Sequence, residues 1–361
     1  MDGLYDYILW LGDYPFTAVP FQEVDAVILC LLVYCDFTPL FEQADGVYLR
    51  DSQKMIDAGE VRVQRIGKPE PFIQILKAAA SSRRFGELYL SGYVDIMLSE
   101  NTIQFSAVSY HCDAGWSFIA YRGTDCTLAG WKEDFMISYK RTHAQELARQ
   151  YAENRIDSDH VWYIGGHSKG ANLALYAACT IKQEQLSGVK GIFLLDGPGF
   201  CPDVMDPGII NRIESRVTRI IPGFSVIGRL FEPKIKCTRI VRSAVSGFNQ
   251  HDPATWVIDH GKLATLSQTD SSSDLIKTML DNWIGKISRE DRDVFINDVF
   301  DALGSSGAET LEGLSNHGHK GYEAMINRFK ESSEVTKRIL MDLSRQALQV
   351  IIKALFHRNE S

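Results

Sequence analysis

None of the seven cysteines falls in a Cys-x-x-Cys pair, and their odd number and scatter suggest neither a disulfide framework nor a zinc site. A reducing compartment follows as the expectation. There is no excess of base either: 38 Lys and Arg stand against 46 Asp and Glu, for a formal charge of -8. A nucleic-acid partner is therefore not expected, because a phosphate backbone needs a basic footprint. Long apolar runs are missing as well. The first one, Val24 to Tyr34, is interrupted by Asp25 and is too short to span a bilayer, so it reads as a core helix. Met1 to Asp6 carries acidic residues where a signal peptide would carry basic ones. These absences together predict a cytoplasmic protein with no stable membrane insertion. Internal repeats are absent, and low complexity is confined to Ser271-Ser272-Ser273.

What is present is enough chain, 361 residues, to bury a large core. Residues 1–84 read as a helical region packed on that core: a short helix and turn over 4–20, an apolar helix over 21–35, an ill-defined helix and loop over 44–67, and a helix over 69–82. The character changes at Leu88. Tyr89–Tyr93 and Ile103–Val108 alternate as strands do, and Trp116–Tyr121 reads as a more buried one. Phe135, Tyr139, His143, Leu147 and Tyr151 recur every four residues and predict a helix. Val161–Ile164, Val189–Leu195, Val217–Ile221 and Thr238–Val245 supply further strands. Strand and helix alternate through residues 85–262, which predicts an α/β core with a mainly parallel sheet and helices on both faces. Residues 263–361 lose the strand signal and read as a helical extension, including segments over 275–287 and 335–357, that forms a cap or a dimer surface.

One stretch concentrates the chemistry. In Val161 to Cys179 an apolar strand runs into Gly166-His167-Ser168-Lys169-Gly170 and leaves as a helix. This Gly-x-Ser-x-Gly between strand and helix has the form of a nucleophile elbow, a tight turn that lifts the serine oxygen from the sheet edge, with glycines where backbones pass closely. A serine hydroxyl needs a base oriented by an acid. Two of the nine histidines fall after Ser168 and close to the last apolar strand, and His251 in Phe-Asn-Gln-His-Asp-Pro is better placed than His260. Asp196 ends a buried strand before Gly197-Pro198-Gly199 and is the preferred acid, with Asp252, Asp203 and Asp206 as alternatives. Charge in the transition state requires amide donors. Lys169, next after the serine, supplies one, and Thr124 in Tyr121-Arg122-Gly123-Thr124 the other. This chemistry calls for no metal or organic cofactor.

The segments Ala120–Thr124, Trp131, Asp134 and Gly166–Gly170 together resemble the class 3 lipases, in a bacterial branch with Lys after the nucleophile and a Gln-His-Asp-Pro loop. Over residues 85–260 this resemblance implies an α/β-hydrolase fold and hydrolysis of a carboxylic ester, a small molecule or a lipid. Two departures stand out. Class 3 lipases place their acid in a segment matching Ser225–Leu230, where this chain has Ser225, whereas pancreatic-type lipases take it one strand earlier, in a segment similar to Leu195–Pro198. Lys169 puts a cation at a helix amino terminus, against the dipole, which calls for a salt bridge to a carboxylate such as Asp125 or Asp134, or for a substrate with an anionic group. An acyltransferase with the same triad and a non-catalytic binding protein on a hydrolase fold are the other readings, and a homodimer is left open.

Overall fold

A computed structural model describes residues 2–42, 44–64, 68–98, 103–124, 132–133, 136–274, 277, 287–308, 318–342 and 345. Its centre is a nine-stranded sheet built from β1 (Gly46–Tyr48), β2 (Tyr89–Leu98), β3 (Ile103–Cys112), β4 (Trp116–Tyr121), β5 (Val161–His167), β6 (Val189–Leu195), β7 (Val217–Pro222), β8 (Thr238–Val241) and β11 (Thr265–Leu266), side by side in that order. Strands β9 (Ile258–Asp259) and β10 (Lys262–Leu263) form a separate hairpin.

The sheet is mixed, parallel through its centre and antiparallel towards its edges. Strands β4 to β8 run parallel, whereas β1 to β4 and the β8–β11 pair are antiparallel. The reason lies in the connections. Only residues 99–102 and 113–115 separate β2, β3 and β4, which is far too short for a crossover, so these strands must reverse. Beyond β4 every link between neighbouring strands up to β8 carries a helix or a helical turn, and parallel pairing becomes available.

Alternation along the central strands gives the sheet two apolar faces. Phe118, Ala120, Phe193 and Leu195 join one core with the helices Leu4–Leu11, Glu23–Leu32 and Glu70–Ser81. Ile119, Tyr121, Ile164, Ile192 and Leu194 join the other with His143–Glu153, Lys169–Thr180 and Pro207–Ile213. Helices thus cover both faces, and the amino-terminal region forms one covering layer. Among the described residues, no helix is long and apolar enough to cross a membrane.

The interruption of the apolar run at Asp25 has a structural purpose. Asp25 is fully buried, accepts from Arg84 Nε at 2.9 Å and Nη2 at 2.6 Å, from the Tyr7 hydroxyl at 3.1 Å, and from its own helix's leading amide, Gln22, at 2.8 Å. Arg84 donates onward to the Val19 and Pro20 carbonyls and lies over the Phe16 ring. One ion pair therefore ties the helix Leu4–Leu11, the helix Glu23–Leu32 and the short turn Arg83–Gly86 together.

Three expectations need correction. The helix read over 135–151 does not continue through its stripe: Thr142 and Gln145 form a reciprocal cap that starts a new helix at His143, and His143 itself is exposed. Residues 44–67 contain the edge strand β1 besides the short helix Gln53–Ala58. Strand structure also does not stop at Gly261, because β11 adds to the sheet edge through Thr265 and Leu266. Most of the helix predicted over 275–287 and most of the end of the one over 335–357 lie outside the described residues. Further on, Arg289–Ser305 and residues 334–342 pack Phe295, Ile296 and Ile339 on Tyr139 and Cys201, in loops that leave the carboxyl ends of β4 and β6.

Removing one partner of the buried pair leaves an uncompensated charge. Asp25→Ala is expected to lower stability by about 3–5 kcal/mol in guanidinium unfolding, and Asp25→Leu combined with Arg84→Met by clearly less than the two single changes summed.

Candidate active site

Strand β5 and the helix Lys169–Thr180 meet at Ser168, whose φ of 58° and ψ of -126° lie in a region that side chains rarely occupy. The flanking glycines make the turn feasible. A Cβ on Gly166 would collide with the Gly170 carbonyl, and one on Gly170 with the Tyr121 carbonyl at the end of β4. The Ser168 amide donates to the Leu195 carbonyl at 2.9 Å, which pins the turn to β6. Ser168 thus stands on a one-residue turn from strand to helix, at the carboxyl edge of the parallel strands.

Ser168, His251 and Asp196 come together. His251 Nε2 lies 3.1 Å from Ser168 Oγ, and His251 Nδ1 lies 2.7 Å from Asp196 Oδ2. Since a carboxylate only accepts, Nδ1 carries the proton, and in the neutral ring Nε2 presents its lone pair to the serine hydroxyl. All three are buried, with exposures of 4%, 8% and 0%. His251 closes a short 3-10 turn over Gly247–His251. The Gln-His-Asp-Pro loop is held on both sides of it: Gln250 Oε1 accepts from the Phe224 amide at 3.0 Å, and Asp252 caps the next turn by accepting from the Ala254 amide. Asp252 is thus a cap, Asp206 caps the helix Pro207–Ile213, and His260 is exposed beside Asp259.

Asp196 leaves β6 with a φ of 41°, a left-handed conformation that Asp tolerates, and its amide donates to the Ile220 carbonyl at 2.8 Å. Its second oxygen, Oδ1, accepts from the Ser225 hydroxyl at 2.5 Å. The serine at the position where class 3 lipases carry their acid thus donates to the carboxylate one strand away. Arg219 on β7 is the nearby cation. Burial pulls its guanidinium below the usual value, opposed by Glu232 and Asp196, and it bonds Glu232 at 2.8 Å and the Gly228 carbonyl at 2.5 Å. Asn172, on the elbow helix, holds the turn after Asp196 by donating to the Pro198 and Gly199 carbonyls, each at 3.1 Å.

The segment Arg122–Thr124 follows β4 and lies against the elbow. A Cβ on Gly123 would overlap the His167 carbonyl and the Tyr34 hydroxyl and would press on Ser168 Cβ at 3.2 Å. Glycine is therefore required for this close approach. Arg122 fixes the segment by a bidentate pair to Asp95 on β2, at 3.0 and 2.9 Å, and Thr124 is buried. Lys169 is 1% exposed, and its ammonium donates to Glu133 at 2.8 Å and to the Gln104 carbonyl at 2.9 Å. Its cation is offset by a salt bridge, as expected, but the carboxylate is Glu133; Asp125, Trp131 and Asp134 lie outside the described residues. The idea that this cation meets an anionic substrate is not supported by this geometry, because the ammonium is already held by a carboxylate and a carbonyl.

His167 is a further polar residue of the site, one that the triad pattern does not mark. Its Nε2 donates to the His251 carbonyl at 2.8 Å, and its Nδ1 lies 2.9 Å from the Tyr34 hydroxyl. The signal available was its place inside the elbow motif; nothing marked Tyr34, which sits 133 residues away in the chain. Among the described residues no group of three or more His, Cys, Asp or Glu is placed to hold a metal.

Two substitutions separate strain from packing. Ser168→Gly relieves the unfavourable backbone conformation and is expected to raise stability by about 1 kcal/mol, whereas Gly170→Ala drives a methyl into the Tyr121 carbonyl and is expected to lower it by at least about 2 kcal/mol. Urea unfolding of the three proteins checks both signs.

The sequence profile of the Mbeg1-like family, a lipase-like family, matches residues 79–301, which include Ser168, Asp196 and His251 but not Tyr34. No curated protein matches the chain. Among solved structures it is similar to the crystal structure of M37 lipase, at 16% identity and a TM-score of 0.37, over 58% of this chain and 70% of that one. By the extent of the profile match, the chain belongs to the Mbeg1-like family.

Proposed function

We propose that this protein is a serine hydrolase of the α/β-hydrolase fold that cleaves a carboxylic ester through an acyl-enzyme on Ser168. The observation that carries the reading is the continuous relay from Ser168 Oγ through the His251 ring to Asp196 at 3.1 and 2.7 Å. It sits at the carboxyl ends of the parallel strands, where α/β sheets bind their ligands. In this reading residues 85–262 form the catalytic core, residues 1–84 a covering layer, and residues 263–361 a cap beside the rim. The substrate is a small-molecule or lipid ester, and the enzyme is cytoplasmic.

The proposed sequence of steps follows from the tautomer. Ser168 Oγ attacks the ester carbonyl while its proton passes to His251 Nε2, and Asp196 stabilises the imidazolium that forms. The carbonyl oxygen becomes an oxyanion and accepts from the main-chain amides of Thr124 and Lys169. The tetrahedral species collapses, the C–O bond to the alcohol breaks, and His251 Nε2–H protonates the leaving oxygen. Water then attacks the acyl-serine, giving its proton to His251, and Ser168 leaves with that proton as the acid departs. Ser225 keeps Asp196 aimed at Nδ1 by occupying its other oxygen. The Lys169 side chain fixes the elbow through Glu133, so its amide rather than its charge serves the reaction. The assembled relay favours this reading over that of a binding protein, which Ser225 had left open.

A fluorophosphonate probe is expected to label the wild type and not Ser168→Ala. Hydrolysis of a short-chain p-nitrophenyl ester is expected to fall by about 10⁴-fold in Asp196→Asn and His251→Ala, and by about tenfold in Ser225→Ala, the loss of one charge-assisted hydrogen bond. A wild type that neither labels nor hydrolyses any ester contradicts the proposal. Product analysis with competing alcohols distinguishes hydrolysis from acyl transfer.

A further inference from the structure

We infer that His167 and Tyr34 are positioning residues for the base, and that through them the amino-terminal helical layer takes part in the reaction. The inference rests on the proposed role of His251 and goes beyond it, because neither residue touches the reacting atoms.

The His251 main-chain carbonyl can only accept, so His167 Nε2 is the donor in the 2.8 Å contact between them. That fixes the ring: in neutral His167, Nδ1 has no proton and accepts from the Tyr34 hydroxyl at 2.9 Å. The two histidine rings stand 4.5 Å apart, and His167 and Tyr34 are themselves buried. The residue just before the nucleophile therefore holds the backbone of the residue that must take the nucleophile's proton. Nucleophile and base are coupled by one side chain of β5, not only by their own contact.

Tyr34 anchors the chain of bonds at its far end. It follows the buried helix Glu23–Leu32, its amide donates to the Leu31 carbonyl, and its own carbonyl accepts from the Gln64 amide at 2.8 Å. Its ring packs edge-on to Phe72. Its hydroxyl also fills the space that a Cβ on Gly123 would need, beside the segment carrying the proposed oxyanion donor Thr124. Tyr34 and His167 thus form a junction between the amino-terminal layer, the oxyanion segment, the elbow and the base loop. A hydroxyl with a purely packing role would not need an acceptor aimed at it from the elbow, and a phenylalanine would fill the same volume.

The role predicts an effect on turnover rather than on substrate affinity. Without His167 the His251 carbonyl loses its donor, the base loop gains freedom, and Nε2 spends less time aimed at Ser168 Oγ, while the acyl site is unchanged.

The test compares wild type with His167→Leu, His167→Gln and Tyr34→Phe. Gln places an amide donor near the position of Nε2 and is the conservative variant. His167→Leu is expected to lower the fluorophosphonate labelling rate and kcat by at least about tenfold, with KM within about twofold, and His167→Gln is expected to recover most of that loss. Tyr34→Phe should fall between wild type and His167→Leu. A second readout does not depend on activity: the downfield proton NMR signal of His251 Nδ1–H on Asp196 should persist in His167→Gln and broaden or vanish in His167→Leu. Equal loss in Leu and Gln, a dominant change in KM, or an unaltered rate and signal in His167→Leu overturns the inference. If His167→Leu does not fold, Tyr34→Phe decides, and a labelling rate and Nδ1–H signal equal to wild type overturns it. A wild type that shows the signal and its dependence on His167 but never labels at Ser168 sinks the hydrolase reading and leaves the positioning role standing.

Discussion

The structure depends on a backbone reversal completed within one residue. Ser168 holds an unfavourable φ of 58° so that β5 can end and a helix can begin without a loop. This is stable only because three neighbouring backbones close around it: the Gly170 carbonyl against Gly166, the Tyr121 carbonyl against Gly170, and the His167 carbonyl against Gly123. Strain of this kind costs of order 1–3 kcal/mol and persists only where the surroundings over-determine it. Here those surroundings are the ends of β4, β5 and β6, in register through Tyr121 beside Gly166 and His167 beside Leu195. The same parallel register that builds the sheet places the serine oxygen at its edge.

Burial then sets the electrostatic demands. Asp196 has no exposure, so its carboxylate needs a donor on each oxygen, and His251 and Ser225 supply them. Lys169 at a helix amino terminus needs a counter-charge, and Glu133 supplies it from the segment after β4. Asp25 on the opposite face is answered by Arg84. Each of these three charges is met by a residue from a distant part of the sequence, so these contacts also tie separate layers together.

Much of this was legible in the sequence, and the limits were physical ones. Strand periodicity identified β2 to β8 because their side chains alternate between two apolar cores, and the turn chemistry of Gly166–Gly170 and Asp196–Gly199 marked where the sheet edge had to be. Periodicity could not tell one helix from two: the stripe through Tyr139, His143 and Leu147 keeps helical spacing across a break set by the Thr142 cap. Strands β1 and β11 escaped because two or three residues carry no period. The partner of Lys169 was expected among acids near it in the motif, but Glu133 reaches it instead, and a choice among neighbouring carboxylates is made by backbone direction rather than spacing. Ser225 read as a missing acid when considered alone; only the proximity of β6 and β7 shows it as a donor to Asp196. Tyr34 was invisible for the same reason, since its hydroxyl gains meaning only where the chain after the helix Glu23–Leu32 meets the end of β5.

The family match covers residues 79–301, and the relay lies wholly inside that span. The proposed chemistry requires that Ser168 become acylated in turnover. The most direct measurement is peptide-mapping mass spectrometry after the enzyme is mixed with an activated short-chain ester and quenched in acid. An acyl mass is expected on the peptide containing Ser168, abolished in Ser168→Ala and lost with time as water releases it. An acyl group on another residue, or turnover of the ester with no adduct in any quench, would contradict it.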